Sequence, residues 1–170
     1  PFRRSYSAKR LADWESNPNF CEESVFTESS FHSRLILDMV DESIFDFFIR
    51  NLDRHHLVKI DELLNDSSIF HIDQGRAFGR YDHDEMSIIE PLKQCCLVRY
   101  STVKRLIHFF DQSSLGSSLK NALENDPIAP VLAHQHFDAL DRRLEIILFE
   151  LWRCVKKVGN IAKVIIDDGL

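Results

Sequence analysis

Asn51-Leu52-Asp53-Arg54-His55-His56, and after it Ile72-Asp73-Gln74-Gly75-Arg76-Ala77-Phe78-Gly79, set two acidic residues in polar loops, the second marked by glycine. Two separate acids are what phosphoryl transfer requires: one orients the hydroxyl nucleophile and takes its proton, and the other holds a divalent metal that neutralises charge on the nucleotide phosphates. Asp53 and Asp73 stand twenty residues apart. That leaves room for a short excursion and one buried strand over 69–72 that would deliver Asp73 at its end. The plainer alternative is a loop cap and a turn residue, since aspartate is common in both places. Arg54 could steady the first loop through a charge-assisted hydrogen bond. His55 and His56, being adjacent, would point apart and could not easily share one metal.

The flanking pattern supports a rigid frame around these loops. Over residues 33–50, Leu35, Ile36, Met39, Val40, Ile44, Phe47 and Phe48 recur at helical spacing, with Ser33 suited to the N-cap. That helix feeds directly into the Asp53 loop and would carry it on a fixed support. Residues 1–30 are polar and irregular, with a helical turn expected over 10–14. A short helix is expected over 59–65, then the strand, then a loop in which Gly75 and Gly79 would let backbone approach a ligand. Further helices are expected over 87–100, interrupted by Pro91, over 102–110 behind a Ser101 cap, and over 117–125. The last, over 137–158, sets Leu140, Leu144, Ile147, Leu148, Leu151, Trp152 and Val155 on one stripe and stops at Gly159. The expected fold class is mainly α with a few short strands.

Composition bounds the function. A chain of 170 residues suits one domain or a piece of one, and 44% hydrophobic with 28% charged is an ordinary globular balance. A net charge of −6, with no basic tract longer than Arg3-Arg4 or Lys156-Lys157, argues against nucleic acid. No apolar run reaches the roughly 18 residues that span a bilayer. Four cysteines stand at Cys21, Cys95, Cys96 and Cys154. Adjacent cysteines bridge each other only through a strained ring, so if oxidised, Cys95 and Cys96 each reach a distant partner, and the residues leave open which takes Cys21 and which Cys154. Four reduced thiols in a cytosolic protein are the alternative. Asn65-Asp66-Ser67 is an N-glycosylation acceptor in a polar stretch, and with the cysteines it favours a secretory lumen. A zinc site drawn from His83, Cys95, Cys96, His134 and His136 has no CxxC or HxxxH spacing behind it. No GxSxG supplies a hydrolase nucleophile, and Gly116-Ser117-Ser118 does not replace it.

Longer strings carry a resemblance. They include Asp53-Arg54-His55-His56, Gly75-Arg76 with Phe78-Gly79, His83-Asp84-Glu85, Pro91-Leu92 with Gln94-Cys95-Cys96, Ala129-Pro130-Val131-Leu132 and Ala139-Leu140-Asp141-Arg142-Arg143-Leu144. End to end, the chain resembles the C-terminal half of the secretory-pathway kinases called family with sequence similarity twenty, whose branches are a casein kinase, a proteoglycan xylose kinase and a pseudokinase activator. The resemblance implies an atypical protein-kinase-like C-lobe over residues 1–170, with the N-lobe and its nucleotide-anchoring lysine outside this chain, which alone is expected to be inactive. It implies Asp53 as catalytic acid/base and Asp73 as nucleotide-binding metal ligand, with ATP and Mn²⁺ or Mg²⁺ as cofactors. It further implies pairing of Cys21 with Cys95 and of Cys96 with Cys154, a glycan on Asn65, and a Golgi-lumenal or secreted protein. The implied reaction is transfer to serine in Ser-x-Glu contexts of secreted proteins, with a homodimer or a heterodimer with a related pseudokinase as a partner state.

The chain also departs from that pattern. The family follows Asp-Arg-His-His with Tyr-Glu, whereas Leu57 and Val58 stand here. A valine cannot ligand metal or phosphate, so unless Glu62 or another acid substitutes, nucleotide binding is expected to be weaker or altered. Gln74 replaces the usual asparagine, a milder change. Gly75-Arg76 with Phe78-Gly79 favours the casein-kinase and pseudokinase branches over the xylose kinase. A pseudokinase scaffold and a sugar kinase stand as the alternative readings.

Overall fold

The computed structural model describes residues 11–28, 33–53, 58–59 and 69–169. A helical turn, α1 (Asp13–Ser16), and a π-helical turn (Cys21–Val25) lead to the long helix α2 (Ser33–Ile49). Strands β1 (Val58–Lys59) and β2 (Ile69–Phe70) follow, then a 3₁₀ turn (Met86–Ile89), α3 (Glu90–Cys95), β3 (Val98–Arg99), α4 (Tyr100–Asp111) and α5 (Leu115–Leu123). The long α6 (His134–Val158), a 3₁₀ turn (Ile161–Lys163) and β4 (Ile165–Ile166) complete the order. The architecture is mainly helical, as expected. β1 and β2 are antiparallel with Val58 opposite Phe70, and β3 and β4 are parallel with Val98 opposite Ile165. Among the described residues, no helix is long and apolar enough to cross a membrane.

Several boundaries differ from the sequence expectation, each for a local reason. Pro91 opens α3 rather than interrupting a helix, because its missing N–H is no loss in a first turn. The stretch over 87–100 is therefore a 3₁₀ turn, a short helix and a strand. Ser101 lies inside the first turn of α4 rather than ahead of it. Asp168, from the C-terminal segment, accepts its N–H at 3.2 Å and also its hydroxyl, so the cap comes from 67 residues away. Helix α5 starts at Leu115 because Ser114 accepts the Ser117 N–H at 2.9 Å. The strand expected over 69–72 ends at Phe70, the first helical turn lies at Asp13–Ser16, and α6 begins at His134. Trp152, expected on the buried stripe of α6, is 54% exposed and stacks on Phe149 with ring centroids 5.7 Å apart. The helix expected over 59–65 falls outside the described residues except for Lys59, which belongs to β1.

Two apolar clusters hold these elements. In the larger, Val40, Ile44 and Phe47 of α2 meet Ile89, Leu92, Val98, Leu106 and the α6 residues Leu144, Ile147, Leu151 and Cys154. In the smaller, Leu35, Ile36 and Met39 meet Trp14, Cys21, Val25 and Cys95. The disulfides follow this division. Cys21 pairs with Cys95 at a Cα separation of 5.3 Å, and Cys96 pairs with Cys154 at 5.1 Å, the pairing that the resemblance implied. Adjacent cysteines reach different clusters because α3 ends between them. Cys95 is its last residue, and Cys96 adopts the left-handed conformation with φ 51°.

Helices α5 and α6 pack closely at Gly116, whose N–H donates to Asp141 Oδ1 at 2.9 Å. A Cβ there would stand 2.3 Å from the Phe137 carbonyl oxygen, a backbone atom that cannot swing away. Gly116→Ala is expected to cost about 1–3 kcal/mol through overpacking. A lower urea midpoint at unchanged slope would register this loss, and an unchanged midpoint would contradict the close approach.

Candidate functional site

Helix α2 stops where the first acid is needed. Arg50 takes the left-handed conformation at φ 52°, its N–H reaches the Phe47 carbonyl at 3.2 Å, and the Asn51 N–H reaches the Asp46 carbonyl at 2.8 Å. These two bonds make a Schellman turn with arginine where glycine is usual. Asn51 is fully buried, and its side chain works in both directions. Its Nδ2 donates to Asp46 Oδ1 at 3.2 Å, while its Oδ1 accepts the Asp53 N–H at 3.0 Å. The second bond is an Asx turn, which fixes the backbone that aims Asp53.

The second loop is tied to the same helix end. Phe78, left-handed at φ 55°, donates its N–H to the Ile49 carbonyl at 2.7 Å, and Ala77 donates to the Gln74 carbonyl at 2.9 Å. Asp73 is exposed and left-handed at φ 60°. The left-handed positions of this loop thus fall on Asp73 and Phe78, and Gly75 and Gly79 keep ordinary φ. A Cβ at Gly75 would lie 3.9 Å from Asp73 Oδ1, so the missing side chain leaves that carboxylate open on one side. Arg76 joins the loops, with its Nε 3.3 Å from Asp53 Oδ2. Because the Arg76 side chain is 64% exposed and that of Asp53 is 12% exposed, the pair orients the carboxylate more than it stabilises the fold.

Beyond Gly79 the chain is clamped to α6. Asp84 accepts from Arg142 Nε at 2.7 Å and from Arg143 Nε at 2.8 Å. Arg143, the largest fully buried side chain among the described residues, also donates to the Phe48 carbonyl at 2.8 Å and to the Arg80 carbonyl at 3.3 Å. Burial opposes ionisation of Asp84, but the hydrogen bonds and charges of Arg142 and Arg143 outweigh it and hold the carboxyl below its usual range. Stability from this group is present above the ordinary carboxylate range and is lost as pH falls through the depressed value. The Phe78 and Tyr81 rings stand edge-on to His136 at 5.9 and 5.6 Å, which closes the clamp.

Among the expected site residues, Asp53 and the Asp73 loop are thus brought together through Arg76, and all four cysteines are spent in disulfides. Arg54, His55, His56, Leu57, Glu62 and Asn65 lie outside the described residues, and for Val58 the structure gives the strand position alone. A divalent cation fits what is present. An exposed carboxylate beside a glycine suits a hard ion that keeps water and takes further ligands from phosphates. Among the described residues, no group of three or more ligating side chains forms a complete protein cage. Sequence reading did not single out Asn51 or His136 as parts of the site. An Asn two residues before the acid was the available signal for the first, as the Asx-turn spacing.

The family described as "Golgi casein kinase, C-terminal, Fam20" matches residues 1–162 of this chain. Over 171 residues the chain is 43% identical to the extracellular serine/threonine protein kinase FAM20C of Homo sapiens, covering 100% of this chain and 29% of that protein. Over 169 residues it is 37% identical to the pseudokinase FAM20A of Homo sapiens, covering 98% and 31%. A crystal structure of the Golgi casein kinase with Mn/ADP bound superimposes with a TM-score of 0.87 at 40% identity, covering 96% of this chain and 40% of that one. The chain spans less than a third of the length of the two curated relatives, 29% and 31%.

Proposed function

We propose, from the premise that the chain belongs to the Fam20 family matched across residues 1–162, that it is the C-lobe of a secretory-pathway kinase that phosphorylates serine in Ser-x-Glu contexts of secreted proteins. In this reading Asp53 orients the serine hydroxyl and accepts its proton as the γ-phosphoryl of ATP is transferred. Asp73 holds Mn²⁺ or Mg²⁺ against the nucleotide, and the cation neutralises charge on the phosphates. Asn51 and Arg76 fix the direction of Asp53 from its backbone and carboxylate sides. The observation that carries the reading is the Arg76 contact with Asp53, which sets the two acid loops side by side at the end of α2. The Mn/ADP found in the related Golgi casein kinase structure supports the choice of cofactor. Two buried disulfides fit an oxidising compartment, and a glycan on Asn65 belongs to the same setting. The partners in this reading are secreted protein substrates, with a second copy or a related pseudokinase as the dimer mate.

Val58 favours a second reading, a pseudokinase that activates a partner kinase, because a valine replaces the acid the family uses for the nucleotide. Radiolabel from ATP, supplied to the whole protein, is expected to enter a Ser-x-Glu peptide. Label entering a xylosylated linker sugar instead would make the protein a sugar kinase. No label, together with a stimulated partner kinase, would establish the pseudokinase. The 170 residues alone are expected to transfer none. Val58→Glu is expected to tighten Mn²⁺–ADP binding, and unchanged affinity would mean that another acid already serves.

A further inference from the structure

His136 lies in the first turn of α6 and is 9% exposed. Its ring meets Phe78 and Tyr81 edge-on, both at 87° between planes. These two residues bracket Gly79-Arg80, the stretch by which the chain leaves the Asp73 loop. The backbone there is held at both ends, at Phe78 by the Ile49 carbonyl and at Tyr81 by Arg142 Nη2, 2.7 Å from its carbonyl oxygen. The imidazole fills the gap between those ends. An apolar ring would fill it as well without burying a polar atom, yet the Nδ1 of His136 is buried and has no hydrogen-bond partner among the described residues. Burying such an atom opposes folding, so packing alone does not explain a histidine here.

The geometry points to His136 as a positioning residue for the metal-binding loop: its neutral imidazole holds residues 78–81 against α6 and so keeps Asp73, and Arg76 on Asp53, in register. The inference rests on the kinase reading only for what Asp73 binds. Burial, and then the charge of Arg143 on the same helix, hold the imidazole below its ordinary pKa. Asp84, the nearby acid, is occupied by Arg142 and Arg143. On the segment side stand the Tyr81 phenol, Arg80 paired with Asp82, and His83 with Glu85, while the charge of Arg50 at the end of α2 acts on Arg143. Protonation would place a second cation beside Arg143 in a buried site. The folded state therefore binds fewer protons at this group than the unfolded chain, and the clamp is present above the ordinary imidazole range and lost as pH falls through and below it.

Two measurements on the whole protein test this across about pH 5 to 8, the span in which histidine titrates. The first is Mn²⁺–ADP affinity by calorimetry, and the second is hydrogen exchange at residues 78–81. His136→Ala, which removes the ring, is expected to weaken Mn²⁺–ADP roughly tenfold at neutral pH and to speed exchange at 78–81, with unchanged far-UV dichroism. His136→Phe keeps a ring but cannot titrate, and it is expected to weaken Mn²⁺–ADP less than His136→Ala does at neutral pH while losing part of the acid-side weakening. Wild-type exchange in His136→Ala, or a wild-type acid limb in His136→Phe, would overturn the clamp. A wild-type protein that shows the exchange pattern but binds no Mn²⁺–ADP would support the clamp and remove the kinase reading.

Discussion

Asp53→Ala in the whole protein is expected to lower kcat for transfer to a Ser-x-Glu peptide by about 10²- to 10⁴-fold, the usual contribution of a positioned general base. The substitution is mild for the fold. The N–H of residue 53 still reaches the Asn51 side chain, because that bond uses backbone, and Asn51 still closes α2 through Asp46. The loss should therefore fall on kcat with little change in Mn²⁺–ADP affinity. Asp53→Asn, which keeps shape and hydrogen-bonding capacity but cannot take the proton, is expected to lose nearly as much. Asp73→Ala should show the complementary pattern, with Mn²⁺–ADP binding itself lost. Full turnover in Asp53→Ala would move the base to another residue, and a matched loss of nucleotide affinity would give Asp53 a binding role instead.

Removing the Cys96–Cys154 bridge with paired alanine substitutions is expected to destabilise the protein by about 4 kcal/mol in the chain-entropy model, because the bridge closes a loop with a sequence separation of 58 residues. With a shift of about 2–4 °C per kcal/mol for a domain of this size, Tm should drop by on the order of 10 °C. The Cys21–Cys95 loop is of similar length, with a separation of 74 residues, and carries a similar entropic term. The two losses should nevertheless differ in reach. Cys96 and Cys154 sit in the larger cluster and fasten α3 to α6, the helix that bears Arg142, Arg143 and His136. Loss of that bridge should weaken Mn²⁺–ADP binding as well as stability, whereas loss of Cys21–Cys95 should act mainly on the smaller cluster around Trp14 and Val25. Thermal melts and calorimetry on the two variants separate these effects. A Tm within 2 °C of wild type for the Cys96, Cys154 variant would contradict the entropic account.

Much of the frame was legible locally. Helix α2 follows from apolar residues spaced three and four apart, and α6 ends at Gly159 in the left-handed conformation, as a glycine past a helix end suggests. Asp53 and Asp73 were legible as site candidates because short strings surround them. The positive φ of Asp73 and of Phe78 was not legible, and at Phe78 a hydrogen bond to the distant Ile49 carbonyl overrides residue preference. Arginine reads as a surface residue, yet Arg143 is buried because Asp84 and several carbonyls converge on its guanidinium from segments distant in sequence.

The sequence by itself determined the helical class, the helix that supports the first acid, the two acid-bearing loops and the set of cysteines available for pairing. Each of these depends on spacing within a few turns or on a short string. The tertiary structure alone decided how Arg76 meets Asp53, how Asp84 closes on Arg142 and Arg143, and how His136 seats between Phe78 and Tyr81. It also converted the cysteine pairing from an implication of resemblance into a consequence of α3 ending between Cys95 and Cys96. These contacts join residues separated by tens of positions, up to 95 for Arg143 and Phe48. Closing such loops costs entropy that only the packing of the whole core offsets, so no local pattern in the chain announces them.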